Sequence, residues 1–327
     1  MILLLSSSGD LNLDYVIEWL EHYQYPYYRL NADDLLRYPM EVSYDPPRLV
    51  VNGTALPLED IHAVWYRKFG NFRRTGFYVE NEPNFNPTAV IQLQNEFYAF
   101  LAAVMALFRH RFWLTKPKGV SKLNVLTRAM DLGIKVPNSY ITNHAPVVNR
   151  LSEEEELISK SVFEPLFLRQ PNGVYNMFTR VVDEDTRESL PEQFFPSLVQ
   201  HKVEKAYEVR AFYLDGDFYC SAIFSQRDSQ TAVDFREYNV ENPNRFNTYK
   251  LPQEMEEKLH KLMLDLDINC ASLDIIRGRD GEYYFLEVNP TGQFGMVSKP
   301  CNYNLYKIIA EKLIKHDRAG KEKEISG

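Results

Sequence analysis

Cysteine is scarce in this chain. Cys220, Cys270 and Cys301 are three residues in 327, odd in number and far apart. Neither a disulfide framework nor a zinc-binding spacing can be read from them, and a reducing cytosol is the expected compartment. Positive charge is in the minority too. With 37 Lys and Arg against 45 Asp and Glu the net charge is −8, so no nucleic-acid partner is expected and any anionic ligand must be held by local cations. Long apolar runs are missing. The opening "MILLLSSSGD" has too short an apolar run and no basic segment for a signal peptide, and no stretch approaches the roughly 18–20 apolar residues of a membrane span. No internal repeat occurs, and no Ser-His-Asp set or reactive-cysteine context stands out.

What is present suits a globular protein: 45% hydrophobic and 25% charged residues, with 21 Tyr and 20 Phe. The length allows two or three subdomains with real cores. "MILLLS" reads as a buried first strand, "LDYVIEWLEHY" as a helix with Leu13, Val16, Ile17 and Leu20 on one face, and "YPYYRLN" as a second strand. This opening predicts a small α/β domain. "EVSYDPPRLVVNG" predicts an antiparallel hairpin, and "IHAVWYRKFG" a strand running into a basic loop. Residues 87–109 form the longest helix, apolar on more than one side and so expected to be well buried. A helix over 121–132 is closed by Gly133, Asp215-Gly216 marks a hairpin turn, and the polar tail "DRAGKEKEISG" is expected to fray.

The stretch "SLDIIRGRDGEYYFLEVNP" (residues 272–290) carries the chemistry. Two apolar runs flank Asp280-Gly281, a type I′ turn pair, yet each run contains a carboxylate, Asp274 and Glu287. A two-residue turn there pairs Asp274 with Glu287 directly, and Asn289 shares their face. A loop spanning Gly278–Gly281 with a bulge changes that register. Like charges set opposite each other are destabilising. They are either neutralised by Lys or Arg on a solvated face, or, with Asn289, they chelate a hard cation such as Mg²⁺.

The order of segments resembles the ATP-grasp superfamily. A small α/β domain is followed by "KLNVLTRAMDLGIKVP", a lysine-bearing strand "LISKSV", a hairpin "VQHKVEKAYEVRAF" and a terminal "LD…FLEVNPTGQF". Across most of the chain, "WLEHYQYPYYRLNADDL", "AVWYRKFG", "YEVRAFYLDG", "VDFREYN" and "FLEVNPTGQFG" resemble the graspetide synthetases, the microviridin-type peptide ligases, and especially their grasp-with-spasm branch. One departure is Phe235, where the family pattern leads us to expect Trp between Asp234 and Arg236.

The resemblance implies an α+β or α/β chain with the ATP-grasp fold, divided into an N-terminal α/β domain (1–115), a central subdomain (116–200) and a C-terminal subdomain carrying the metal hairpin (201–327). It implies ATP and Mg²⁺ as cofactors. The reaction would join Asp or Glu side chains of a ribosomal precursor peptide, made of leader and core, to Ser/Thr hydroxyls or Lys amines. It further implies leader-peptide recognition and a homodimer.

Carried onto this chain, the resemblance makes Asp274, Glu287 and Asn289 the metal set. Lys122 and Lys160 become phosphate lysines, although Lys160 also reads as a surface lysine on an alternating strand. Gln200, His201 and Val203 would present backbone to adenine. Glu208 would accept the ribose hydroxyls, or else pair with Lys205 or Arg210. Arg210 and Arg236 would stabilise the transferring phosphoryl group, since a planar guanidinium grips two oxygens. The basic loop Arg67, Lys68, Arg73 and Arg74 would face acidic substrate, or simply be solvated. Gly292 and Gly295 in "NPTGQFG" permit close backbone approach. Two rivals remain: an ATP-grasp ligase that adds free amino acids or glutamates, and a nucleotide-dependent peptide-binding protein that makes no bonds.

Overall fold

The computed structural model describes residues 1–163, 167–170, 173–176, 179–225 and 244–326. The chain divides into two units. One comprises Met1–Lys118, Gln293–Ser298 and Asn304–Gly327; the other comprises Gly119–Gly292 and Lys299–Tyr303.

The first unit is built on β1 (Ile2–Ser6), α1 (Leu11–His22) and β2 (Tyr27–Asn31), a βαβ start. A small antiparallel sheet follows, made of β3 (Met40–Tyr44), β4 (Pro47–Val51) and β5 (Thr54–Ala55). The main sheet then continues with β6 (Ala63–Tyr66) and β7 (Phe112–Leu114). Its order is β2-β1-β6-β7 and every pairing is parallel. The central strand β1 is buried at all five positions, as a strand covered on both faces must be.

Between β6 and β7 lie α2 (Gly76–Asn81) and α3 (Pro87–Ala106). Asn86 caps α3 by accepting the Ala89 N–H at 2.8 Å, with Pro87 in the first turn. The expectation of a well-buried helix is wrong here. Val90, Phe97, Leu101 and Val104 are buried, but Ile91 is 62% and Tyr98 43% exposed. At 20 residues and mean hydropathy 1.2, α3 also meets the length and composition of a membrane span, contrary to the sequence reading. Neighbours cover only one face of a helix whose apolar residues surround it.

The second unit opens with α4 (Lys122–Asp131), closed by Gly133 at φ +68°. Next come β8 (Ser139–His144), α5 (Ala145–Ser152), β9 (Leu157–Lys160), β10 (Phe167–Gln170), β11 (Gly173–Asn176), β12 (Arg180–Val181), α6 (Glu184–Ser189) and β13 (Gln193–His201). One sheet has the order β12-β9-β13-β8. A second is made of β14 (Lys205–Leu214), β15 (Asp217–Phe224), β16 (Arg245–Tyr249), β17 (Cys270–Gly278) and β18 (Tyr283–Asn289), in the order β16-β15-β14-β17-β18. The helix α7 (Gln253–Asp265) precedes β17. Val209, Ala211, Tyr213, Leu273, Ile275 and Phe285 form a core with Leu126 of α4 and Leu259 of α7. The alternate positions Glu208, Arg210 and Asp274 turn to the opposite face of that sheet.

The chain ends with α8 (Gly295–Ser298) and α9 (Leu305–Ser326), both in the first unit. In α9, Leu305, Ile309 and Leu313 are fully buried at intervals of four, and Asp317 takes the next such position. Asp317 accepts the N-terminal ammonium at 2.7 Å and the Tyr25 hydroxyl at 2.7 Å. Glu324 pairs with His62 at 2.9 Å and with Arg111. The polar tail, expected to fray, is therefore helical to Ser326.

Candidate functional site

A row of charge crosses the five-stranded sheet. Arg210 of β14 is the ladder partner of Asp274 in β17, and Asp274 is the partner of Glu287 in β18. Arg210 Nη1 donates to Asp274 Oδ1, and both side chains are about nine-tenths buried. Lys122, the first residue of α4, places Nζ 3.4 Å from Glu287 Oε2. The sequence of charges is thus plus, minus, minus, plus. Each carboxylate of the facing pair has a cation beside it, which offsets their mutual repulsion.

The facing pair arises differently from the expected route. The turn is the three-residue loop Arg279–Gly281, closed by Gly278 N–H donating to Glu282 O at 2.8 Å. Asp280 locks it by accepting the Glu282 N–H at 3.0 Å and the Tyr284 hydroxyl at 2.7 Å, and Gly281 sits at φ +85°. These contacts hold its carboxyl below the ordinary range, the Glu282 N–H contributing most. That loop shifts the ladder by one residue, and a bulge between the Asp274 and Ile275 pairings shifts it back. Ile275 faces Phe285, but Asp274 faces Glu287, so Leu286 is the extra residue.

Asn289 pairs with Ser272 two residues further along the ladder, on the same face as Glu287. Its Oδ1 accepts the Thr291 N–H at 3.1 Å. Among the described residues no three His, Cys, Asp or Glu side chains converge. The hairpin instead offers two facing carboxylates and one amide oxygen, a hard donor set that fits Mg²⁺ with sites left for phosphate and water. A second observation points the same way. Arg210 Nε is buried and, among the described residues, has no hydrogen-bond acceptor. A buried guanidinium donor of this kind suits an oxygen of an anionic ligand.

The remaining residues expected at a nucleotide site are distributed around this row. Glu208 lies two positions before Arg210 on the same face; its carboxylate accepts from Lys205 Nζ at 2.6 Å and from Ser225 Oγ at 3.2 Å. Of the two partners left open on sequence, it takes Lys205. Gln200 and His201 end β13, where the His201 N–H is already donated to Asn138 O. Gln200 Nε2 donates to Ser139 Oγ at 2.6 Å, while its buried Oε1 has no partner among the described residues. His201 Nδ1 lies 3.1 Å from Glu155 but out of line for a hydrogen bond. Lys202 N–H donates to Glu156 O, so among the described residues the Val203 N–H is the amide of this segment left for a ligand. Lys160 ends β9 opposite Leu198, in the β12-β9-β13-β8 sheet rather than the sheet of the charge row. Arg236, with the rest of "VDFREYN", lies outside the described residues.

The four basic residues of the 67–74 loop separate. Arg67 is 2% exposed, and its Nε donates to Asp10 Oδ2 at 2.7 Å. Its guanidinium lies 5.4 Å from the Trp65 ring and 5.3 Å from the Phe294 ring. Arg67 is thus engaged by Asp10 and two aromatic faces rather than presented as the loop's open cation. Burial tends to raise the Asp10 carboxyl, but the Arg67 charge and hydrogen bond, with Lys68 and Ser6, hold it below the ordinary range. Lys68, Arg73 and Arg74 stay exposed. The close-approach role of the glycines after β18 is visible in the packing. A Cβ on Gly292 would lie 2.7 Å from Ser272 Cβ, and one on Gly295 2.6 Å from the Tyr306 hydroxyl.

No protein-family profile matches the chain, and no curated protein does. Solved structures match it over nearly its full length. An ATP-grasp ligase associated with a ribosomal peptide product in Chryseobacterium gregarium, complexed with ADP, a leader and a core peptide, is 24% identical, with TM-score 0.81 and 96% of each chain covered. The macrocyclase MdnC from Microcystis aeruginosa, bound to precursor peptide MdnA, is 21% identical, with TM-score 0.78 over 96% of this chain and 100% of that one. The ATP-grasp ligase PsnB, complexed with a minimal precursor, Mg and ADP, is 19% identical, with TM-score 0.76 and 97% of each chain covered. The fold of the chain is that of the ATP-grasp ligases.

Proposed function

We propose that this chain is an ATP-dependent ligase that phosphorylates Asp or Glu side chains of a ribosomal precursor peptide and joins them to Ser/Thr hydroxyls or Lys amines, giving macrocyclic ω-ester or ω-amide links. The observation that carries the reading is the row Lys122, Glu287, Asp274, Arg210, set in a fold shared over 96% of the chain with a ligase that holds ADP, leader and core peptide.

In this mechanism a peptide carboxylate oxygen attacks the γ-phosphorus of ATP and ADP leaves. The hydroxyl or amine then attacks the acyl-phosphate carbonyl, phosphate leaves, and each bond costs the peptide one water. Asp274, Glu287 and Asn289 would hold Mg²⁺, which supplies neutralisation of phosphate charge when bound. Arg210, oriented by Asp274, offers its free buried Nε to a phosphoryl oxygen. Lys122 exchanges Glu287 for phosphate. We assign Lys160 to phosphate, Gln200, His201 and Val203 to the adenine edge, Glu208 to ribose, Arg236 to the acyl phosphate, and the 67–74 loop to acidic peptide. We take residues 1–115 as the N-terminal domain and 116–200 and 201–327 as the two ATP-grasp subdomains, although 293–298 and 304–327 group with the first unit. A cytosolic location and a homodimer complete the proposal; the exposed apolar Ile91 and Tyr98 of α3 support the second.

Incubation with Mg-ATP and a candidate precursor peptide encoded beside this chain tests the reading. Loss of one water per bond from a single peptide, with ADP release, is expected. A mass gain assigns the chain to amino-acid or glutamate addition, and peptide binding without ADP release assigns it to a binding protein.

A further inference from the structure

The first unit contains a cavity of about 400 Å³ whose lining, Gln293 apart, comes from residues 7–74. It lies at the C-terminal ends of β1 and β6, where the chain leaves β1 toward β2 on one side and later returns as β6 on the other. Such switch points in open parallel sheets are natural ligand crevices. Its lining includes Ser8, Gly9, Asn12, Asp33, Lys68 and Arg74.

With Arg67, which pairs with Asp10, three cations meet the two carboxylates Asp10 and Asp33, a surplus of one positive charge. Asp10 is committed to Arg67, and Asp33 accepts the Ser8 N–H at 2.9 Å and the Ser8 hydroxyl. Lys68 and Arg74 then remain, and among the described residues neither side chain makes a hydrogen bond or ion pair. Although the Lys68 side chain is exposed, desolvation by the surrounding wall, then the neighbouring Arg67 charge and, after an opposing pull from Asp10, that of Arg74, hold its ammonium below the usual lysine range. Two cations that make no ion pair, on a wall with one surplus positive charge, favour an incoming anion of single charge. The backbone N–H groups of Gly9, Leu11 and Asn12 also find no protein acceptor among the described residues, and α1 begins there. Asp33 on the same wall opposes a second negative charge, which favours a carboxylate over a phosphate dianion.

We propose that this cavity is a carboxylate subsite, in which Lys68, Arg74 and the Ser8–Asn12 turn hold an Asp or Glu side chain of the peptide. The peptide as ligand rests on the function proposed above. Within the basic loop, Lys68 and Arg74 contact the ligand, Arg67 positions the turn through Asp10, and Arg73 lies outside the lining.

The test measures binding of a Glu-rich peptide and of its Gln-substituted counterpart to the full chain, to Arg74→Gln and to Lys68→Gln/Arg74→Gln, with Mg-ATP binding followed in parallel. The wild type is expected to prefer the Glu peptide by about tenfold or more, as for two charge-assisted contacts. The double variant loses that preference and keeps its Mg-ATP affinity; Arg74→Gln is intermediate. Equal binding of the two peptides by the wild type, or an undiminished preference in the double variant, overturns the subsite. Competition by inorganic phosphate but not by glutarate overturns the carboxylate assignment. Preference for the Glu peptide without loss of water from any precursor leaves the subsite standing and removes the ligase reading.

Discussion

Asp274 faces Glu287 across the β17–β18 ladder because Leu286 is an extra residue in β18. In an unbroken strand Phe285 and Glu287 would share a face. The bulge separates them: Phe285 is fully buried in the core of the second unit, and Glu287 joins Asp274 on the opposite face. A carboxylate and a core phenylalanine two residues apart are thereby both satisfied.

Replacing Glu287 with Gln is the clean test of the acid pair. The ion pair with Lys122 is partly exposed on both sides, so losing that pair costs about 1 kcal/mol or less of stability. Turnover with ATP is expected to fall about 10²-fold or more while the thermal midpoint barely moves, since charge at the phosphoryl group loses an anchor. Asp274→Asn behaves differently. It strands the buried Arg210 and is expected to cost about 3–5 kcal/mol in denaturant titration as well as activity.

Asp10→Asn should destabilise the first unit by about 3–5 kcal/mol at neutral pH, because Arg67 would be left buried and unpaired. The folded-state pKa of Asp10 is depressed, so its contribution is complete above the unfolded value of about 3.9 and is lost as pH falls through the folded value. The stability gap between wild type and variant, measured by urea unfolding, is therefore expected to be wide at neutral pH and to narrow in strong acid.

The three cysteines are all buried. Burial, followed by the charge of Glu256, pushes the Cys220 thiol up to about 12. Native protein at mildly alkaline pH should take up no alkylating reagent at Cys220 by mass spectrometry, and should do so fully in denaturant.

Gly292→Ala forces a Cβ to within 2.7 Å of Ser272 Cβ, beside the strand position that pairs with Asn289. A loss of about 1–3 kcal/mol is expected, with reduced turnover. Ser272→Gly in the same chain removes the atom it meets and should restore part of both, which a change in backbone entropy alone would not do.

Local chemistry was readable where a residue type admits few conformations. Asp215-Gly216 forms the two-residue turn its composition predicts, both residues at positive φ, with Leu214 facing Asp217. The same dipeptide at Asp280-Gly281 does not, because Asp280 spends its carboxylate on Glu282 and Tyr284 and closes a longer loop. Periodicity located α1 and Gly133 marked the end of α4, but neither kind of signal could say how much of α3 would be covered. That depends on which neighbours reach it.

The kinds of residue at the candidate site were set in the sequence: two acids and an asparagine in an apolar hairpin, lysines and arginines in order before them, and a basic loop in an acidic chain. Composition and spacing suffice for that, since charge and donor type belong to the residue itself. Which of these groups meet was decided by tertiary structure alone. The bulge at Leu286 restores the acid pair, Asp10 takes Arg67 out of the basic loop, and the parallel strand order brings Lys68 and Arg74 to the turn after β1. Register and burial depend on partners distant in the chain, and no local pattern encodes them.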